Sequence, residues 1–258
     1  MDKKPGKGAY LEAILRSNQT IFSSRDVALL WGENDIKLIN DRLKKYAKTG
    51  KLIRVHQGFY AKDEKYVRYE LATKIYTPAY ISFETVLTQA GVNFQYYGNI
   101  FVASYLNREI KTKDQKITYV RMKDYVLSNT LGVEKQNNVA WATKERAFLD
   151  RLYVSKEYHF DNLNQLAWDK VFEILPIYNN KRLEKKVKAY YKETARQGAE
   201  MSLKELLLKC IIMLEKTDDR HIIDGLGELL SDPQKDWARA KMKSETIFFL
   251  KMMAEDEK

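Results

Sequence analysis

The sequence predicts an α+β protein in three parts: an N-terminal winged helix-turn-helix over residues 1–66, a small mixed α/β domain over 67–198 and a helical C-terminal extension over 199–258. Three observations carry this. Helical periodicity, then β-type runs, then helical periodicity again follow one another along the chain, the segregated order of an α+β fold. A length of 258 residues at roughly 100–200 per domain argues for more than one module. The charge is also uneven. Residues 1–68 hold 15 Lys and Arg against 8 Asp and Glu, so a quarter of the chain supplies +7 of the net +10.

The first helix spans Ala9 to Ser17, with Ala9, Tyr10, Ala13 and Ile14 at helical spacing. Ser23 caps the second, Asp26 reaches back at N3, and Phe22 staples onto Val27. Val27, Leu30 and Trp31 form its inner face, and Gly32 supplies the left-handed residue that ends it. A tight turn leads to a third helix from Asn34 or Asp35 to about Thr49. Its inward arc is Ile36, Ile39, Leu43, Tyr46 and Ala47; Lys37, Asp41, Lys44, Lys45 and Lys48 fall opposite. After Gly50, residues Lys51 to Ala61 read as two short strands around a Gly-containing turn, a wing.

Beyond Lys65 the charge thins, which places a domain boundary near residues 62–68. A connecting helix is expected over Tyr66–Ile75, ended before Thr77-Pro78. Tyr80-Ile81 is extended, and Ser82 caps a helix over Phe83–Ala90 that stops at Gly91. Ile100–Leu106, Ile117–Met122 and Val126–Leu127 predict a small antiparallel sheet, with Asn107–Gln115 as a polar turn. Thr143 caps a helix over Lys144–Val154, and further helices are expected over Leu163–Leu175 and Asn180–Arg196. In the extension, Ser202 and Glu205 form a capping box ahead of an apolar stripe through Leu203, Leu206, Leu207, Cys210, Ile211 and Leu214. Asp232-Pro233 opens another helix there, bearing Trp237 and Phe248.

Several functions are disfavoured. The longest uncharged stretch, Thr85–Asn107, is crossed by Gln89, Asn93, Gln95 and Asn99 and is not a membrane span. The N-terminus has no apolar signal-peptide core, so the cytoplasm is expected. One cysteine, Cys210, and three scattered histidines, His56, His159 and His221, give no zinc-type spacing, so neither metal nor cofactor is expected. Glu145 and Asp150, at i and i+5, do not share a helical face, and no His or Lys completes a catalytic set; an enzyme is not expected. Gly225-Leu226-Gly227 lacks the rest of a dinucleotide fingerprint.

A pI near 9.3 with the excess charge in a helix-turn-helix points to duplex DNA. The candidate DNA-binding residues are Ser24, Arg25, Lys37, Asn40, Asp41, Lys44, Lys45 and Lys48, with Arg54, His56 and Gln57 on the wing. Lysine predominates over arginine, which favours phosphate contacts over base reading. A solvated lysine face and a protein-binding winged helix are the bland alternatives.

The chain also resembles the AbiEi-type antitoxins of bacterial type IV toxin-antitoxin systems over roughly residues 9–195. The resemblance lies in Gln57-Gly58-Phe59-Tyr60 closing the wing, in the run Tyr80-Ile81-Ser82-Phe83-Glu84-Thr85-Val86-Leu87-Thr88-Gln89-Ala90-Gly91-Val92, and in residues Trp141 to Tyr153. Where members commonly carry Pro-Glu-Lys-Ala, this chain has Lys144-Glu145-Arg146-Ala147. The resemblance implies a winged helix that represses the shared toxin-antitoxin promoter and a second domain that supports neutralisation of a nucleotidyltransferase-like toxin. The partners so implied are double-stranded operator DNA and a cognate type IV toxin; the apolar tail, beyond the resemblance, reads either as packing onto the middle domain or as an interface for a homodimer or the toxin. A free-standing winged-helix regulator with a sensing or partner-binding second domain is the alternative.

Overall fold

The computed structural model describes residues 8–95, 98–112 and 115–196. Expectations about Cys210, Gly225 and the helices beyond 199 lie outside these residues. The chain divides into two compact units, Met1–Lys186 and Val187–Lys258; a helix over 181–196 crosses the dividing point. Helix and strand are mixed as an α+β protein requires.

The N-terminal elements form where local chemistry specifies them. Helix α1 (Ala9–Arg16) buries Tyr10 and Ile14. Helix α2 (Ser24–Trp31) begins at a closed capping box: the Asp26 amide donates to Ser23 Oγ at 3.2 Å, and the Ser23 amide donates to Asp26 Oδ2 at 2.8 Å. Gly32 ends it at φ +60°, a conformation that a side chain would strain. Helix α3 (Ile36–Lys48) is capped by Asp35, whose Oδ1 accepts from the amides of Lys37 and Leu38 at 3.0 Å each.

Two residues expected inside are not. Leu30 and Ile36 are 39% and 44% exposed, because short helices bury a narrow stripe. On α2 that stripe is Val27 and Trp31, the indole filling the gap and donating to the Tyr10 carbonyl at 2.9 Å. On α3 it is Ile39 and Leu43, and Ile36 lies one turn beyond the packed layer.

Strand β1 (Ile21–Ser23) has three residues, too few to show alternation in sequence, and exists through its pairing with β3 (Phe59–Ala61). β3 turns back on β2 (Ile53–His56) through Gln57-Gly58, with Gly58 at φ +79°. The three strands run in the order β1-β3-β2. Tyr10, Ile14, Phe22, Val27, Trp31, Ile39, Leu43, Leu52 and Tyr60 close one core beneath them.

Helix α4 (Arg68–Ile75) leads into a six-stranded sheet. Its elements are β4 (Tyr80–Ile81), α5 (Phe83–Gln89), β5 (Asn99–Ser104), β6 (Arg108–Lys111), β7 (Lys116–Arg121), α6 (Asp124–Leu127), β8 (Val133–Gln136), β9 (Val139–Ala142), α7 (Lys144–Val154) and α8 (Trp168–Ile174). The strand order is β6-β7-β5-β4-β9-β8.

This sheet corrects the expected antiparallel one. β5 pairs with β7 in parallel, Ile100 opposite Ile117, and β4 pairs with β9 in parallel. The expected polar turn contains β6, an edge strand that buries only Ile110 and therefore reads as polar. Val126 and Leu127 belong to α6, not to a strand. The hairpin β8–β9 turns on Asn137 and Asn138, at φ +46° and +65°, a two-residue signal of the type that Asn favours. The expected helix Leu163–Leu175 is interrupted: Leu163–Gln165 is a 3₁₀ turn, and the Ala167 amide donates to Glu145 Oε1 at 3.1 Å before α8 starts.

Helix α4 joins these elements to the N-terminal ones. Thr20 donates through its amide (2.9 Å) and hydroxyl (2.6 Å) to Glu70 Oε2, and Lys74 Nζ donates to the Ile21 carbonyl at 2.6 Å and to Gln19 Oε1 at 3.0 Å. Ile21, Ala61 and Leu71 form a small apolar cluster across the charge step near residue 65. Among the described residues no helix is long and apolar enough to cross a membrane.

Candidate nucleic-acid interface

The residues nominated on α3 are placed by one rule of geometry. With Ile39 and Leu43 buried, the positions about half a turn away must face water, and Lys37, Asp41, Lys44, Lys45 and Lys48 are all exposed. Lys44 Nζ lies 3.9 Å from Asp41 Oδ1, but both side chains are well solvated, and such a pair holds the lysine weakly. Arg25 on α2 and Arg54 and Gln57 on the hairpin are exposed as well.

Ser24 and Asn40 are half-buried and are brought together: the Ser24 hydroxyl donates to Asn40 Oδ1 where the start of α2 crosses α3. This hydrogen bond links the two helices and occupies an oxygen nominated for DNA. His56 is half-buried; loss of water around the ring, and then the neighbouring Arg54 charge, hold its pKa below the ordinary histidine range. The imidazole is therefore neutral at pH 7.

Other cations of the same region are committed elsewhere. The Arg42 guanidinium lies 4.0 Å from the centre of the Tyr10 ring, and Lys62 Nζ donates to the carbonyls of Leu15 and Ser17. Lys51, exposed immediately after α3, is a further cation beside the nominated face that sequence reasoning did not single out. Its position after Gly50 was the available signal.

Helix α7 carries the opposite arrangement. Arg146 and Asp150, one turn apart, are both fully buried. Asp150 accepts from the hydroxyls of Ser82 (2.7 Å), Tyr178 (2.7 Å) and Tyr80 (3.0 Å), while Arg146 donates to the carbonyls of Leu131 and Val126 at 2.7 Å each. Burial pushes the Asp150 carboxyl upward, and Arg146 and the three hydroxyls pull it back. Ser82, expected as a helix cap, makes no capping bond because its hydroxyl is used here. Glu145 is also buried, held against the Ala167 amide. Both carboxylates that invited a catalytic reading are thus enclosed by protein partners. Among the described residues no group of three His, Cys, Asp or Glu side chains is placed to hold a metal ion.

No protein-family model matches the chain, and no curated protein matches it.

Proposed function

We propose that residues 1–66 are a winged helix-turn-helix that binds duplex operator DNA, and that the protein is an antitoxin that represses its own promoter. The observation that carries the DNA reading is the free cationic face of α3 continued by the hairpin: Lys37, Lys44, Lys45, Lys48 and Arg54 are exposed on elements fixed by a closed core. An α-helix fits the major groove, and lysines along its rim meet phosphates on either side. In this reading Arg54, His56 and Gln57 of the hairpin approach the neighbouring backbone or the minor groove. The antitoxin half of the reading, including neutralisation of a nucleotidyltransferase-like toxin, is supported by the resemblance across residues 9–195. In this reading the protein acts by binding and catalyses nothing.

A titration of the full chain against the DNA upstream of its gene, over a range of salt concentrations, tests the first half. Each phosphate that a lysine neutralises adds about 0.9 to the steepness of log K against log salt, through the counterion it releases. Replacing Lys37, Lys44 and Lys48 together by Ala should lower affinity and flatten that slope by roughly two to three. Unchanged affinity and slope would remove α3 from the groove. Co-expression with the product of the adjacent gene tests the second half: growth arrest by that product, relieved by this protein, is expected.

A further inference from the structure

Of the charged residues on the nominated face of α3, Asp41 is the one that a DNA backbone would repel. Its place on the helix is central. At 3.6 residues per turn, Asp41 lies about 160° round the helix from each of the buried Ile39 and Leu43, so it points directly away from the core. Lys48, Lys37, Lys45 and Lys44 lie within about 20–60° of it, on both sides. The face is a cationic border around a single carboxylate.

Asp41 also differs from nearby carboxylates in what holds it. Asp26 closes the capping box of α2, and Glu33 Oε1 accepts from the amides of Asn34 and Asp35 at 3.1 and 3.2 Å. Asp35 accepts from two amides at the start of α3. Asp41, whose side chain is 64% exposed, has among the described residues only Lys44 Nζ at 3.9 Å, beyond hydrogen-bond reach. Its acceptor oxygens are free at the position that would meet a groove floor.

We propose that Asp41 is a specificity-determining residue whose carboxylate accepts from the N4 amino group of a cytosine in the major groove. The inference rests on the DNA reading of α3. Phosphates line both edges of the groove and repel a carboxylate, so Asp41 is accommodated only where the floor offers it a donor. The base edges there present two, cytosine N4 and adenine N6. The adenine amino group sits between two acceptors, its own N7 and thymine O4, whereas that of cytosine has an acceptor on one side only, guanine O6. A carboxylate is therefore repelled less at cytosine. The flanking lysines meet phosphates and set the register, and Asp41 supplies the base contact.

The test is a set of fluorescence-anisotropy titrations of the full chain against the DNA upstream of its gene, with each base pair of the bound stretch replaced in turn. Replacing one C·G pair, or one in each half of a symmetric site, should weaken native binding by about tenfold or more. In Asp41→Ala the loss at that pair should shrink to about twofold or less while losses at other pairs stay. The same variant should bind an unrelated duplex more tightly, since a negative charge leaves the phosphate-facing surface. Asp41→Asn should move the preference at that pair toward A·T, because an amide pairs with adenine N6 and N7. Both replacements are at an exposed position and should keep the melting temperature, so a lost preference reports recognition and not folding. Three results would overturn the inference while leaving DNA binding intact: an equal rise in the affinity of Asp41→Ala for every duplex, unchanged losses at every pair, or an affected pair other than C·G. Failure of the native chain to bind any duplex would overturn the DNA reading itself, and this inference with it.

Discussion

Helices α3 and α7 both carry cations and carboxylates at helical spacing, and the fold uses them in opposite ways. On α3, Lys37, Lys44, Lys45 and Lys48 face water and Asp41 barely engages its neighbour. On α7, Arg146 and Asp150 are sealed among Ser82, Tyr80 and Tyr178. The difference follows from what lies across from each helix. α3 packs one stripe on its core and presents the rest to solvent. Seven of the eleven residues of α7 are buried, including both members of the ion pair, so the buried charges there had to find partners within the protein. The exposed lysines of α3 are available to an external partner, whereas Arg42 of the same helix lies over the Tyr10 ring. On α7 the buried pair is part of the scaffold.

The sharpest way to break this contrast is to remove one half of the buried pair. Asp150→Ala leaves the Arg146 guanidinium buried opposite three hydroxyls and should cost about 3–5 kcal/mol of stability, read from urea unfolding. A decrease comparable to that of a surface substitution would mean that the α7 pair is not the structural element described.

Lys74 sharpens the comparison from the other side, as a cation near the N-terminal region that is engaged instead of free. It donates to the Ile21 carbonyl and Gln19 and lies 3.3 Å from Asp26 Oδ2. Lys74→Ala should lower stability by about 1–3 kcal/mol while leaving the salt slope of DNA binding unchanged. A flattened slope at full stability would place Lys74 on the DNA instead.

The buried hydroxyls predict a response to alkali. Tyr80, Tyr119 and Tyr178 all have pKa values raised by burial, and Tyr119 donates to the Ala72 carbonyl at 2.8 Å. Unfolded tyrosine loses its proton near pH 10, whereas these remain protonated when folded, so the unfolded state binds fewer protons above that pH. Their contribution is complete below pH 10 and is lost as pH rises through the folded values. Tyr119→Phe should make the decline shallower by about 1.4 kcal/mol per pH unit above pH 10, and unfolding curves from pH 9 to 11 measure it. An unchanged slope would show that Tyr119 ionises alike in both states.

The smallest effect belongs to His56. Its lowered pKa keeps it neutral at pH 7.5, and protonation at lower pH adds a positive charge to the hairpin. DNA affinity should rise as the pH is lowered from 7.5 to below the ordinary histidine range, where His56 takes its proton, and rise less in His56→Gln, measured by fluorescence anisotropy at fixed salt. Identical pH responses would put His56 away from the phosphates.

Sequence alone determined the features that depend on a few neighbouring residues. The capping box at Ser23 and Asp26, the left-handed Gly32, the Gln57-Gly58 turn and the start of α7 at Thr143 are all satisfied within four residues or so, and each forms as read. The exposed face of α3 belongs with them, because helical periodicity fixes which residues oppose a buried stripe. Only the tertiary structure decided what depends on distant partners. β1 and β6 are too short or too polar to announce themselves and exist through the strands beside them. The parallel pairing of β5 with β7 depends on where β6 turns the chain, which alternation cannot report. Ser82 reads as a cap because the residues after it are helical, yet its hydroxyl goes to Asp150, 68 positions away. The partner of a polar side chain is set by what packing brings within hydrogen-bond reach, and no local pattern encodes that distance.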